Sequence, residues 1–318
     1  MKRIVCFFVS ALFATCALAQ APYPSKPIRL VLPLAVGSAT DLIGRVLAKA
    51  VSESIGQPIV VDNKAGALGT ISAADVARAA PDGYTLLIGT SSALSTAPFM
   101  QKNLPYDPVA DFTPITDVGR YTLFFYVNAD VPAKTLQEFI AYAKSKPGRV
   151  TCANGSVTTQ LSCLQLAQFA GIDLLQVPYK SGPQSMLDMV AGRIDAQFET
   201  PTTGLVHVKS GKLRALATTL RSPSVLLPDV PPIYDAGVPQ FEIVSWMGLF
   251  GPAKMPKEIV ERLNREFGAA MKRPDVIAEM DRQGFALTPS TPEQLGVLTR
   301  QQIEVYGRLL KEAGVKPE

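Results

Sequence analysis

Histidine is almost absent from this chain: His207 is the only one in 318 residues. It sits in Gly204-Leu-Val-His-Val-Lys-Ser-Gly-Lys212, where the pattern predicts a partly exposed helix residue rather than a general base. Cysteine is also scarce, with four in all, and Cys6 and Cys16 fall in an N-terminal leader. Two remaining thiols and one imidazole fall short of a tetrahedral zinc site unless carboxylates join them, so no metal is expected. There is no Gly-x-Ser-x-Gly, which removes the strand-turn-helix nucleophile motif. A phosphate loop is missing too, since Leu213 follows Gly211-Lys212 where a hydroxyl would be needed. No cofactor is expected. Charge blocks, internal repeats and low-complexity tracts are absent. The formal net charge of +4 includes Lys2 and Arg3, and without the acid-free residues 1–19 it becomes +2. Nucleic acid would call for a concentrated basic stripe, and none is present. Beyond the leader, no run reaches the roughly eighteen apolar residues that span a bilayer.

What is present begins with that leader. Lys2 and Arg3 precede an apolar stretch from Ile4 to Leu18, and Ala17-Leu18-Ala19 supplies small residues at the positions a signal peptidase reads. A secretory signal peptide over 1–19, cut between Ala19 and Gln20, is the expectation. A buried N-terminal helix fits poorly, because Pro22, Pro24 and Pro27 follow at once. A lipid anchor on Cys16 fits poorly as well, given Phe13-Ala14-Thr15 before it. In an oxidising compartment Cys152 and Cys163 can pair, with two buried free thiols as the alternative.

The mature length favours two domains. Ile28–Leu34 is a continuous apolar run, suited to a strand buried on both faces. Asp41–Ile55 carries Leu42, Val46, Leu47, Ala50 and Val51 at helical spacing. Strand, helix and strand follow at Pro58–Asp62, Ile71–Ala80 and Tyr84–Gly89, the order of a parallel, doubly wound sheet. A second βα set comprises helices at Leu136–Ser145, Thr159–Ala170 and Pro183–Ala191. Its strands are Arg149–Ala153, Leu174–Pro178, Ala196–Glu199 and Leu213–Thr218. Two long apolar strands, Tyr121–Asn128 and Ile243–Phe250, bracket that set, and the tail is helical at Lys257–Met271, Asp275–Gln283 and Pro292–Ala313. The reading is an α/β protein of two lobes joined by two crossover hinge strands. One lobe is discontinuous (20–123 and 244–318), and the other covers 124–243. Ligands of such sheets bind beyond the carboxyl ends of the strands, at the helix N-termini.

Donor-rich loops lie at those points. Ala35-Val36-Gly37-Ser38-Ala39-Thr40-Asp41 opens the first helix, with Gly37 permitting close backbone approach and with the helix dipole favouring an anion. Asn154-Gly155-Ser156-Val157-Thr158-Thr159 does the same in the other lobe. Gly89-Thr90-Ser91-Ser92 and Gly66–Thr70 add further donors. For Ser38, Thr40 or Asp41 singly, helix capping is the simpler reading, and capping does not prevent lining a site. Asp41 and Glu199 could also work as acid and base, which keeps an envelope hydrolase or lyase as an alternative.

Several longer stretches are similar to the Bug family, the periplasmic solute-binding proteins of tripartite tricarboxylate transporters. They include Tyr23-Pro-Ser-Lys-Pro-Ile-Arg29, Ala79-Ala-Pro-Asp-Gly-Tyr-Thr-Leu-Leu87, Asn103-Leu-Pro-Tyr-Asp-Pro108, Val177-Pro178-Tyr179-Lys180, Gly211–Ala217 and Leu227–Pro231, and the match continues to Pro256–Val260 and Leu263-Asn264. The resemblance implies a type II-like, hinge-closing periplasmic binding fold without enzymatic activity. It implies a monomer that holds a small organic carboxylate between the two helix-opening loops and hands it to the membrane components of the transporter. A sensor passing its closed form to a signalling receptor is a third possibility. The candidate ligand set is Ala35, Val36, Gly37, Ser38, Thr40, Asp41, Ser91, Ser92, Asn154, Gly155, Ser156, Thr158, Thr159, Tyr179 and Glu199. Both loops depart from the family pattern. Val36 and Ser38 replace a Pro and a Gly, while Thr158 and Gln160 stand where Pro and His are usual. An altered ligand class, such as an aromatic carboxylate, is therefore expected.

Overall fold

The computed structural model describes residues 23–179, 181–243, 245–315 and 317. The proposed leader lies outside the described residues, as do Lys180 and Val244. In chain order, the first elements are β1 (Ile28–Leu32), α1 (Ala39–Ile55), β2 (Ile59–Asn63), α2 (Thr70–Ala77), β3 (Thr85–Thr90), α3 (Ala97–Met100) and β4 (Phe112–Tyr121). Next come β5 (Phe124–Asn128), α4 (Leu136–Ser145), β6 (Val150–Asn154), α5 (Val157–Ala170), β7 (Leu174–Pro178), α6 (Gly182–Val190), β8 (Ala196–Glu199), α7 (Pro201–Lys209) and β9 (Leu213–Thr218). The chain closes with β10 (Trp246–Pro252), α8 (Lys257–Ala270), α9 (Pro274–Arg282), β11 (Phe285–Leu287) and α10 (Pro292–Glu312). Two sheets result, one ordered β11-β4-β10-β3-β1-β2 and the other β7-β6-β8-β5-β9. This is the two-lobed α/β architecture that the alternating pattern predicts.

Apolar runs rather than alternating strands follow from burial on both faces. In β1, Ile28, Leu30 and Leu32 enter one core cluster while Val31 enters another. Leu86 and Ile88 part from Leu87 in β3 in the same way. In the second sheet Phe125 and Val127 face one cluster, whereas Phe124 and Tyr126 face the other. The helices cover these faces with single apolar stripes: α1 buries Ile43, Leu47, Ala50 and Val51 and ends at Gly56 in the left-handed conformation (φ 69°), where a side chain would cost energy.

The crossings between sheets differ from the expected pair of long strands. Tyr121–Asn128 is broken into β4 and β5, because backbone pairing changes allegiance at the break. Thr122 N–H donates to the Gly284 carbonyl beside the first sheet, while Leu123 pairs with Thr219 beside the second. On the return path the strand starts at Trp246 rather than Ile243. Residues 242–243 have no ladder partner, since the Gln165 side-chain oxygen accepts the Glu242 N–H at 2.8 Å and the Ile243 N–H at 3.0 Å. Strands β4 and β11 have no counterpart among the sequence expectations. Their signal is weak because Pro114, Asp117, Gly119 and Arg120 interrupt β4.

Helix α10 links the sheets. Leu295, near its start, packs with Trp246 and Phe250 in a first-sheet cluster. Tyr306, Leu309 and Leu310, near its end, belong to the core of the second sheet. Arg308 adds an ion pair to Glu242 on the return crossing.

Candidate functional site

Each sheet delivers its loops to a common cleft because parallel strands all point their carboxyl ends the same way. The cleft holds a cavity of about 460 Å³ lined from both sides. Of the candidate residues, Thr40, Ser91, Ser92, Ser156, Thr158, Thr159 and Glu199 line it. The sequence reading did not single out Tyr121, Leu123, Thr200, Ser245 or Trp246, which line it as well. Tyr121, Leu123, Ser245 and Trp246 come from the crossing segments, and the one cue in the sequence was that Trp246 is the only tryptophan.

The first loop is organised by Asp41. Ser38 caps α1, its hydroxyl accepting the Asp41 N–H at 3.2 Å. The Asp41 carboxylate accepts from the Gly37 N–H, the Arg45 Nε–H and the Asn63 amide, at 2.9–3.0 Å. Burial pushes this carboxyl up, but the Arg45, Gly37 and Asn63 hydrogen bonds outweigh it and hold the group below the usual carboxylate range. A carboxylate so saturated is a poor base, which removes it from the hydrolase or lyase alternative. Ala35, Val36 and Gly37 are exposed and lie off the cavity wall, as does the half-buried Ser38. Gly37 has a φ of +81°, the left-handed conformation that glycine adopts freely. Instead of that arm, Gly66-Ala67-Leu68-Gly69 lines this side of the cavity, with positive φ at all four residues. Thr40 faces inward and shares a 2.6 Å hydrogen bond with the Tyr121 hydroxyl.

The second loop is organised by Thr159. Ser156 and Thr159 form a reciprocal capping box at the start of α5, and the Thr159 hydroxyl accepts the Gly155 and Ser156 N–H groups at 3.2 and 3.1 Å. Asn154 is buried, its amide donating to the Gln176 side-chain oxygen at 3.3 Å. Gly155 backs directly onto Ser181-Gly182 at the start of α6. Tyr179 donates its hydroxyl to Asp188 at 2.8 Å and is not among the residues that line the cavity. Beneath the loop, Cys152 of β6 and Cys163 of α5 are joined by a disulfide, with Cα atoms 6.2 Å apart.

Glu199 closes β8, and its Oε1 accepts the Thr200 N–H at 2.8 Å and the Thr200 hydroxyl at 3.1 Å. Burial pushes its carboxyl above the ordinary value, with those two hydrogen bonds working against the shift. His207 lies in the last turn of α7, away from the cavity. Among the described residues, the lining includes no Cys, His, Lys or Arg, and no cluster of three or more His, Cys, Asp or Glu could hold a metal. Hydroxyls, two helix N-termini and aromatic faces suit the arrangement to holding a small anion-bearing molecule.

Tyr306 of α10 is buried in the core and reaches both lobes. Its phenol is buried, which pushes its ionisation up, and it is hydrogen-bonded with Thr158 of the second lobe and Ser91 of the first. Tyr306→Phe keeps the packing and removes both bonds. It is expected to cost about 1–3 kcal/mol, read as a lower midpoint in urea denaturation. An unchanged midpoint would contradict the bridge.

A two-lobed α/β chain with a ligand-sized cavity between its two sheets has the architecture of a periplasmic binding protein. The sequence signature of the tripartite tricarboxylate transporter family receptors, TctC, matches residues 43–315, so the chain belongs to that family of solute-binding proteins rather than enzymes. It is 35% identical over 293 residues to the UPF0065 protein in the tcbD-tcbE intergenic region of Pseudomonas sp. strain P51, covering 91% of this chain and 87% of that one. Protein BugT of Bordetella pertussis is 31% identical over 321 residues, 99% of this chain and 98% of its own. Among solved structures, the periplasmic binding protein BugD superposes with a TM-score of 0.72 at 32% identity, over 93% of this chain and all of its own. An R. palustris protein solved with adipate gives 0.76 at 28% identity, over 93% and 100%. MatC from Rhodopseudomonas palustris, with bound malate, gives 0.70 at 29%, over 91% and 100%.

Proposed function

We propose that this chain, cut after Ala19 and working as a periplasmic monomer, captures a small organic carboxylate and delivers it to the membrane components of a tripartite tricarboxylate transporter. The observation that carries the reading is the cavity of about 460 Å³ shared by both lobes, with the N-termini of α1 and α5 opening beside it. Helix N-termini favour negative charge without any cationic side chain. The relatives solved with adipate and malate support an acid as the ligand, whether a di- or tricarboxylate or an aromatic acid.

In this reading the lobes are 20–123 with 244–318, and 124–243, and they close about the crossings at Thr122–Leu123 and Ser245–Trp246. Closure of this kind needs only a few residues to absorb the rotation. Thr40, Ser91, Ser92, Ser156, Thr158, Thr159 and Glu199 touch the ligand. Ala35, Val36, Gly37, Ser38 and Asp41 form the outer arm that folds over it on closure, while Asn154, Gly155 and Tyr179 hold the opposite loop in place.

Trp246 provides the test. As the sole tryptophan, fully buried and on the cavity wall, it reports occupancy through its emission. Titration with a panel of mono-, di- and tricarboxylates, aromatic acids and acidic amino acids is expected to shift the emission and raise the melting temperature for at least one class. No response to any organic acid at millimolar concentration overturns the reading.

A further inference from the structure

Among the described residues, the side chains that line the cavity include one carboxylate and no cation. That carboxylate is Glu199, the one Asp, Glu, Lys, Arg or His among the described lining residues. Its orientation is fixed: Thr200 occupies Oε1 with two donors. Oε2 lies against Gly182 so closely that a Cβ on that residue would come within 1.7 Å of it. The carboxyl therefore cannot swing away into solvent, and it is only 9% exposed. Any molecule filling the cavity meets this acid group at the second-lobe wall, and its partner there must satisfy an oxygen that only accepts when ionised.

A ligand carboxylate placed beside it would set two like charges together with no cation among the described lining residues, which disfavours ionisation of both. A hydroxyl, amide or ammonium group would instead donate to it. The surrounding hydroxyls can serve either case, so they do not discriminate.

We propose that Glu199 sets the ligand class of the cleft, selecting acids with one carboxylate and a hydrogen-bond donor at the far end, and rejecting those with a second ionised carboxylate there. The proposal rests on the reading of the chain as a carboxylate-capturing protein and narrows its substrate. It also assigns Glu199 a specificity role, in place of the acid–base role that the sequence allowed.

Matched pairs test it: 4-hydroxybenzoate against terephthalate, succinamate against succinate, and 4-aminobutyrate against glutarate. Each is titrated at neutral pH by Trp246 emission and by calorimetry, with wild type and with Glu199→Gln. For wild type, the donor-ended member of at least one pair is expected to bind about ten- to a hundredfold more tightly than its diacid, the scale of one unmatched buried polar group. Glu199→Gln offers an amide that can donate, so it is expected to reduce that ratio to near one or invert it. Its melting temperature shows that the fold is kept, and the wild-type ratio stands without the variant. Diacids binding wild type as tightly as their partners overturn the proposal alone, as does an unchanged ratio in Glu199→Gln. If none of the six acids binds either protein the proposal is overturned, whereas the capture reading falls only if the wider panel of organic acids is silent as well.

Discussion

Gly155→Ala is expected to weaken ligand binding by at least about tenfold, corresponding to about 1.4 kcal/mol, and to lower the unfolding midpoint. A Cβ at this position would stand 2.2 Å from the Gly182 nitrogen and 2.4 Å from the Ser181 carbonyl carbon. Both are backbone atoms, so no flexible side chain can yield, and overpacking of this kind costs typically about 1–3 kcal/mol. To relieve the clash, either the Asn154–Thr159 loop or the start of α6 must move, and Gly182 is the neighbour that fixes Glu199. One methyl group thus disturbs two walls of the cleft. Gly268→Ala in α8 is the control: nothing lies within 4 Å of its added Cβ, and helix propensity alone predicts a gain of up to about 1 kcal/mol. Calorimetric titration and urea melts of both variants check the pair. A Gly155→Ala protein with wild-type affinity and midpoint would refute the described contact between the loops.

Reduction of the Cys152–Cys163 disulfide, or the double change to alanine, is expected to destabilise the second lobe by about 2–4 kcal/mol. The two sulfurs join β6 to its own crossover helix with a sequence separation of 11, and both residues are fully buried. Since the Asn154–Thr159 loop lies inside that closed ring, its backbone amides are expected to exchange faster with solvent once the bond is lost. The comparison is a urea melt with and without reductant, together with hydrogen exchange across 150–165. A midpoint insensitive to reductant, with unchanged exchange in the loop, would show that packing alone holds this segment.

Most elements could be read directly because their residues report local periodicity. Leu136–Ser145, Leu174–Pro178, Ala196–Glu199 and Leu213–Thr218 form as expected to the residue. Where backbone groups find unusual partners the pattern misleads, as at Ile243, whose N–H is satisfied by Gln165 rather than by a strand. In the site, hydroxyl-bearing residues at helix starts were legible as cap or ligand contacts, but not which of the two. Ser38 turned out to be a cap and Thr40 a wall residue, a difference set by a rotation of about 100° per residue around the helix.

The sequence by itself determined the α/β class, the two sets of strands and the helix-opening loops. These follow from composition and from short-range periodicity, which a chain carries in its order of residues. Only the tertiary structure decided that Asp41 and Thr159 gather their own loops' N–H groups, that Tyr306 bridges Ser91 and Thr158, and that Glu199 is the single charged side chain lining the cavity among the described residues. Each of those facts depends on which distant segments meet and how much water they exclude, and neither is written in any local stretch of the chain.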